Sequence, residues 1–243
     1  MTVPQPARQS AVDRVVQALE ERILTTLEPG DSLPSEGDLA VDLSVSRLTV
    51  REATRTLAAR GLIEVRQGRR PQVSAPNADP VSDFFRYTVR RDPRNLLELL
   101  DVRIALEVHI AGLAARRATA SALQRLDLAL EEMWRAEDEP EAYHRADVRF
   151  HEALASASGN SMLTVLIEAL ADPLHDSRRH SYAGHARRGL TVAQVIEVHA
   201  EILRRVKDRD PKGASAAMRA HLEQTERDLR AALREEMSGP ASR

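Results

Sequence analysis

Apolar side chains recur at helical spacing near the start of the chain. Val12, Val15, Val16, Leu19, Ile23 and Leu27 share one face, which predicts an amphipathic helix over 11–27. Pro29-Gly30 ends it. Ser35 with Asp38 three residues on is an acidic variant of the capping box and opens a short helix to about Asp42. The chain turns through Leu43-Ser44-Val45, Ser46 can cap a third helix over 47–60, and Gly61 supplies its C-terminal stop. Leu62, Ile63 and Val65 are β-prone, Gln67-Gly68 is a turn, and Gln72-Val73-Ser74 can return as a strand. Three helices followed by a small hairpin is the layout of a winged helix-turn-helix.

Beyond Ala75 the pattern changes. Two prolines and polar residues in 75–80 mark a linker, and strand signals then disappear. Helical periodicity runs over about 81–90, 95–118, 120–138, 141–157, 161–182, 191–209 and 211–236, with Pro173 expected to kink the fifth segment. The predicted architecture is mostly α: an N-terminal winged helix-turn-helix domain over 8–75, a linker over 76–80, a C-terminal all-α antiparallel helical bundle over 81–237, and a tail over 238–243.

Composition narrows the classes. Hydrophobic residues make up 42% of 243, enough for a packed core, which argues against wholesale disorder. The absence of Cys excludes disulfides, thiolate metal sites and a cysteine nucleophile. No apolar run is long enough to span a membrane, and Met1–Ser10 lacks the apolar stretch of a secretory signal, so a cytoplasmic protein with no membrane partner is expected. Aromatics at 3% argue against stacking of single-stranded bases. The small net charge conceals an asymmetry. Residues 1–43 carry three Arg against eight acids, whereas residues 44–75 carry seven Arg against Glu52 and Glu64. Such a basic block is either a phosphate-facing surface or a solvated helix face.

The third helix would enter the major groove. Ser46, Arg47, Leu48, Thr49 and Arg51 lie at its start, where side chains reach base edges and the helix dipole favours phosphate. Arg can grip guanine O6 and N7 with two hydrogen bonds. Gln67, Gly68, Arg69 and Arg70 at the hairpin tip could meet an adjacent backbone or the minor groove. The competing reading of Arg47 and Arg51 is surface ion pairing, for example Arg51 with Glu52. The pattern Leu33-Pro34-Ser35-Glu36, Leu39-Ala40, Val45-Ser46-Arg47, Val50-Arg51-Glu52-Ala53, Leu57 and Gly61-Leu62-Ile63 resembles the DNA-binding domain of the GntR family of bacterial transcription regulators, over about 12–75. Two departures bear on the operator. The family usually has a DNA-contacting Arg after Pro-Ser-Glu, where this chain has Gly37, and the usual Gly-x-Gly-Thr wing reads Gly68-Arg69-Arg70-Pro71.

In the second domain, Asp147 and His151 are four apart and project from one helical face, while His199 and His221 lie on two later helices. One carboxylate and three imidazoles would suit a divalent metal ion: zinc first, with nickel or manganese as alternatives. Spacing alone equally allows four polar residues buried for packing, although burying Asp147 beside neutral imidazoles without a cation would be costly. His144 could support the site, and His109, His175, His180 and His185 match no ligand motif. The segments Ala146-Asp147-x-x-Phe150-His151-x-x-Leu154, Ser158-Gly159-Asn160, His199-x-x-Ile202-Leu203 and Met218-x-x-His221-Leu222 resemble the FCD effector domain of the FadR subfamily over about 81–236. The resemblance implies metal ligation by Asp147, His151, His199 and His221, and a small organic acid effector held with help from Arg103 and Asn160. For Arg103 the competing reading is an ion pair with Asp101 or Glu107. It further implies a homodimeric repressor on double-stranded operator DNA with an inverted repeat, released by its effector. Rival readings are a metal-free regulator of a larger acyl ligand and a metal-dependent hydrolase or lyase. Against the latter, no His-Glu-x-x-His motif, nucleophile elbow or phosphate loop is present.

Overall fold

The computed structural model describes residues 9–92, 94–171 and 191–238. The chain divides into two compact units, Met1–Pro80 and Val81–Arg243.

The first unit holds α1 (Ala11–Thr26), α2 (Glu36–Asp42), α3 (Arg47–Ala59), β1 (Ile63–Glu64) and β2 (Gln72–Val73). Each helix starts at a serine whose hydroxyl accepts from the backbone three residues on: Ser10 from Asp13, Ser35 from Asp38 and Ser46 from Thr49. In α1 and α2 the acid completes a capping box. The α3 terminus is a Schellman motif: Gly61 N donates to Ala58 O and Leu62 N to Leu57 O, with Gly61 at φ +74°. Val15, Val16, Leu19 and Ile23 of α1 pack with Val50, Ala53 and Leu57 of α3, and Leu33, Leu39, Ile63 and Val73 complete this core.

The hairpin is antiparallel, with Ile63 opposite Val73 and Glu64 opposite Gln72. Its tip turns through Arg66–Arg69, closed by Arg69 N donating to Arg66 O, with Gly68 at φ +74°. One feature escapes the periodicity. Residues 30–33 line the other edge of β2, where Gly30 N donates to Val73 O, Val73 N to Asp31 O and Leu33 N to Pro71 O. This stretch is too short to show alternation, and its pairing partner lies about forty residues away in sequence.

The second unit is helical. The expected 81–90 helix is longer, α4 (Asp79–Arg91), and it begins inside the expected linker. Then follow α5 (Asn95–Arg117), α6 (Ala120–Arg135), α7 (Pro140–Ala157), α8 (Ser161–Ala171), α9 (Val192–Lys207) and α10 (Pro211–Ser238). The expected kink at Pro173 lies outside the described residues, as do His175, His180 and His185. The most extensive packing joins α5 to α10 and α6 to α7, and α9 touches α5, α6 and α10. Gly112 permits the close approach of α5 and α10, since a Cβ there would lie 2.7 Å from Ser215 Oγ. Leu100, Leu126, Met133, Phe150, Leu154, Ile196, Ile202, Met218 and Leu222 form a shared, fully buried interior. No helix among the described residues is long and apolar enough to cross a membrane.

Leu57 is fully buried at the α1–α3 contact of the smaller core. Leu57→Ala is expected to cost the first unit about 2–5 kcal/mol. Amide hydrogen exchange should show this as a loss of protection in α1 and α3.

Candidate functional site

Four helices of the second unit deliver polar side chains to one place in its apolar interior. On α5, buried positions recur at Leu96, Leu99, Leu100, Arg103, Glu107, Ile110 and Ala114, so the two charged residues sit on the core face. Asp147 and His151 do the same on α7, and His199 on α9. His221 of α10 is partly buried. The ligand atoms of His151, His199 and His221 all lie within 4.8 Å of one another. Asp147 Oδ1 is 3.1 Å from His199 Nε2 and 3.7 Å from His151 Nε2. Phe150, fully buried, sets its ring edge-on to His199 at 5.1 Å.

The hydrogen bonds settle which nitrogens face inward. His199 Nδ1–H donates to Val195 O at 2.8 Å, which turns Nε2 toward the centre. That Nε2 is buried, has no hydrogen-bond partner, and faces the Asp147 carboxylate. His151 Nδ1 is hydrogen-bonded to Glu107 Oε2, so its Nε2 also turns inward. Three imidazoles whose ligand atoms lie within 4.8 Å of one another, beside the Asp147 carboxylate, form a nitrogen-and-oxygen donor set. A cation is what such a donor set accommodates, so the residues fit a divalent ion.

Electrostatics treat the groups of this site differently. Burial opposes ionisation of Glu107, but Arg103 and His151 outweigh it and hold the carboxyl well below the usual carboxylate range. Burial likewise opposes charging of His151, yet Glu107 and Asp147 raise its pKa above the ordinary imidazole value. His221 is pushed well below that value by burial and by the neighbouring His199 and His151, so its ring is neutral, as a metal ligand must be.

Arg103 and Asn160, the two expected effector contacts, have different surroundings. Arg103 is 3% exposed; its Nε donates to Glu107 Oε1 at 2.5 Å and its Nη2 lies 3.4 Å from His151 Nε2. Asn160 Oδ1 accepts from Met162 N and Leu163 N at the start of α8, so it serves as a helix cap. His144 is buried beside Tyr143, and His109 is exposed. A cavity of about 340 Å³ opens beside His221, lined also by Gln194, Val195, Val198, Ala220, Gln224 and Arg227. Glu107 is the residue that sequence reasoning undervalued, treating it only as an ion-pair partner for Arg103. The signal was present: two opposite charges four residues apart on the apolar stripe of α5.

In the first unit, Ser46 and Thr49 are engaged with each other at the α3 cap, their hydroxyls 2.8 Å apart. Arg47 and Leu48 are exposed, as are Gln67, Gly68, Arg69 and Arg70 on the hairpin. Arg51 is half exposed and its ion pair is not with Glu52. Its Nε and Nη2 reach Glu36 Oε2 on α2 at 3.2 and 3.1 Å, while Glu52 pairs with Arg55. A helix presents i and i+4 on one face, so the adjacent Glu52 points away from Arg51.

Comparison with known proteins agrees with this division. Residues 11–73 match the family described as bacterial regulatory proteins, gntR family, and residues 98–224 match the FCD domain. The chain is similar to the HTH-type transcriptional regulator LutR of Bacillus subtilis (34% identity, covering 82% of this chain and 92% of that one). It is also similar to a putative L-lactate dehydrogenase operon regulatory protein of Escherichia coli (31%, covering 91% and 86%). The transcriptional repressor NanR of Klebsiella aerogenes is 30% identical, covering 93% and 87%. Among solved structures, a Streptococcus agalactiae GntR protein superposes with a TM-score of 0.69 at 30% identity, covering 89% of this chain and 99% of that chain.

Glu107→Gln keeps the side-chain size but removes the carboxylate that orients His151. It is expected to lower the zinc affinity of the purified protein about 10–100-fold, measured by competition with a chromophoric chelator.

Proposed function

The chain belongs to the gntR family of bacterial regulatory proteins and carries an FCD domain, and from that premise we propose a metal-assisted sensor of small carboxylates that controls its own operator. The family makes it a DNA-binding transcription regulator, not an enzyme. In this reading Asp147, His151, His199 and His221 hold one divalent ion. Bound there, the ion would supply open positions for an anionic ligand. Glu107 keeps His151 in the ligating tautomer, and Arg103 holds Glu107 ionised while adding positive charge beside the site.

The observation that carries the reading is the buried His199 Nε2, deprived of a hydrogen-bond partner and set 3.1 Å from Asp147 Oδ1. The cavity beside His221 suits a small molecule better than a long acyl chain. The name of the Escherichia coli relative, a lactate dehydrogenase operon regulator, favours a short hydroxycarboxylate as the effector class. The repressor named among the relatives favours repression relieved by ligand. The protein works in the cytoplasm as a homodimer, whose paired α3 helices read half-sites about one helical turn apart. The effector binds one pose of the two reading heads better than the other, since otherwise it could switch nothing.

Metal analysis of purified protein is expected to find about one divalent ion per chain. Short carboxylates should raise the melting temperature, and a chelator should abolish that rise. No ion bound, and no carboxylate effect after adding zinc, nickel or manganese, would overturn the metal-assisted reading while leaving DNA binding intact.

A further inference from the structure

Gly37 lies in the middle of the first turn of α2, and its backbone does not require glycine. Its φ is not positive, and glycine is a poor helix former. What the missing side chain makes room for is Arg47. A Cβ on Gly37 would sit 3.3 Å from Arg47 Nη2, 3.5 Å from Cζ and 3.6 Å from Nε. All three nearest atoms belong to the guanidinium, so Arg47 occupies the space where a side chain on Gly37 would begin. The same turn of α2 engages the neighbouring arginines. Glu36 holds Arg51 through two hydrogen bonds. The Asp38 carboxyl is held below its ordinary pKa by the Ser35 hydroxyl and backbone, with Arg70 of the hairpin and Arg47 adding to the effect. The first turn of α2 thus engages two arginines of α3, Arg47 and Arg51.

We propose that Gly37 is a specificity-determining residue: its missing side chain seats the Arg47 guanidinium across α2, and that seat sets which base pair Arg47 reads. The inference rests on the DNA-binding reading above and deepens it. A guanidinium recognises guanine as a rigid fork, so the position from which the fork is presented decides the base pair it meets. An arginine free to swing from α3 would sample several positions and lose rotamer freedom on binding; a seated one has already lost it. A larger residue at Gly37 would fill the seat and force Arg47 outward. Alanine would press on it by only a few tenths of an ångström, which the end of a flexible side chain can yield.

The test is selection from random double-stranded DNA by the full-length protein, followed by competition binding with every single-base variant of the selected site. Wild type, Gly37→Ala, Gly37→Gln and Arg47→Ala are compared. Wild type is expected to prefer guanine at one base pair of each half-site, and Arg47→Ala to lose that preference about ten- to hundredfold. Gly37→Gln should lose the preference at the same pair and no other, with an unchanged melting temperature, and Gly37→Ala should fall between it and wild type. Retention of the wild-type preference by Gly37→Gln while Arg47→Ala loses it overturns the seat. Retention by Arg47→Ala overturns base reading by Arg47. Wild type enriching no sequence overturns the DNA-binding reading and this inference with it. If Gly37→Gln melts early, the Gly37→Ala comparison decides: an altered preference at that pair supports the seat, and an unaltered one overturns it.

Discussion

A charged group inside a helical bundle must be answered by another charge or a hydrogen bond, and that constraint organises the second unit. Arg103, Glu107, Asp147, His151 and His199 are each 8% exposed or less. Left unanswered, any one of them would cost more than its packing returns. Arg103 answers Glu107, Glu107 answers His151, and the Val195 carbonyl takes the outer proton of His199. The last two bonds turn the Nδ1 atoms of His151 and His199 away from the centre. What remains there is three imidazoles beside the Asp147 carboxylate, a donor set that could hold a divalent cation. The surrounding interior of Phe150, Leu154, Ile202 and Leu222 is apolar, which strengthens the charge interactions inside it.

The same centre ties α5, α7, α9 and α10 together, because each contributes a side chain to it. Whatever binds at the centre is therefore felt by four helices at once. The contact of α5 with α10 passes through Gly112, where backbones approach closely enough that little slack remains. Close-packed interiors respond to such a change by shifting between discrete arrangements rather than by deforming smoothly. This is how a small ligand can have a consequence larger than itself.

In the first unit, charge is managed rather than merely displayed. The acidic run over 1–43 and the basic run over 44–75 partly answer each other across the fold. Glu36 holds Arg51, Glu20 holds Arg60 at 2.8 Å, and Asp38 lies in the field of Arg47 and Arg70. These pairs are exposed, so their contribution to stability is small. Their effect is on position, since each keeps a long side chain in one place. The net basic excess lies on α3 and the hairpin.

The chain's local chemistry determined much of this. Capping serines, a glycine at a helix stop and apolar spacing act over three or four residues, so α1, α2, α3 and most of the bundle were legible, as was the Asp147–His151 face. The start of α4 at Asp79 was not, because Pro80 within its first turn is tolerated there yet reads in sequence as a breaker. Only the tertiary structure decided three further things. It paired residues 30–33 with β2, matched Arg51 to Glu36 rather than Glu52, and brought Glu107 to His151 across 44 residues of chain. It also laid Arg47 beside Gly37. The physical reason is common to them all. Periodicity and caps report on neighbours along one element, whereas the partner of a charged side chain is chosen among elements that meet only after the core has formed.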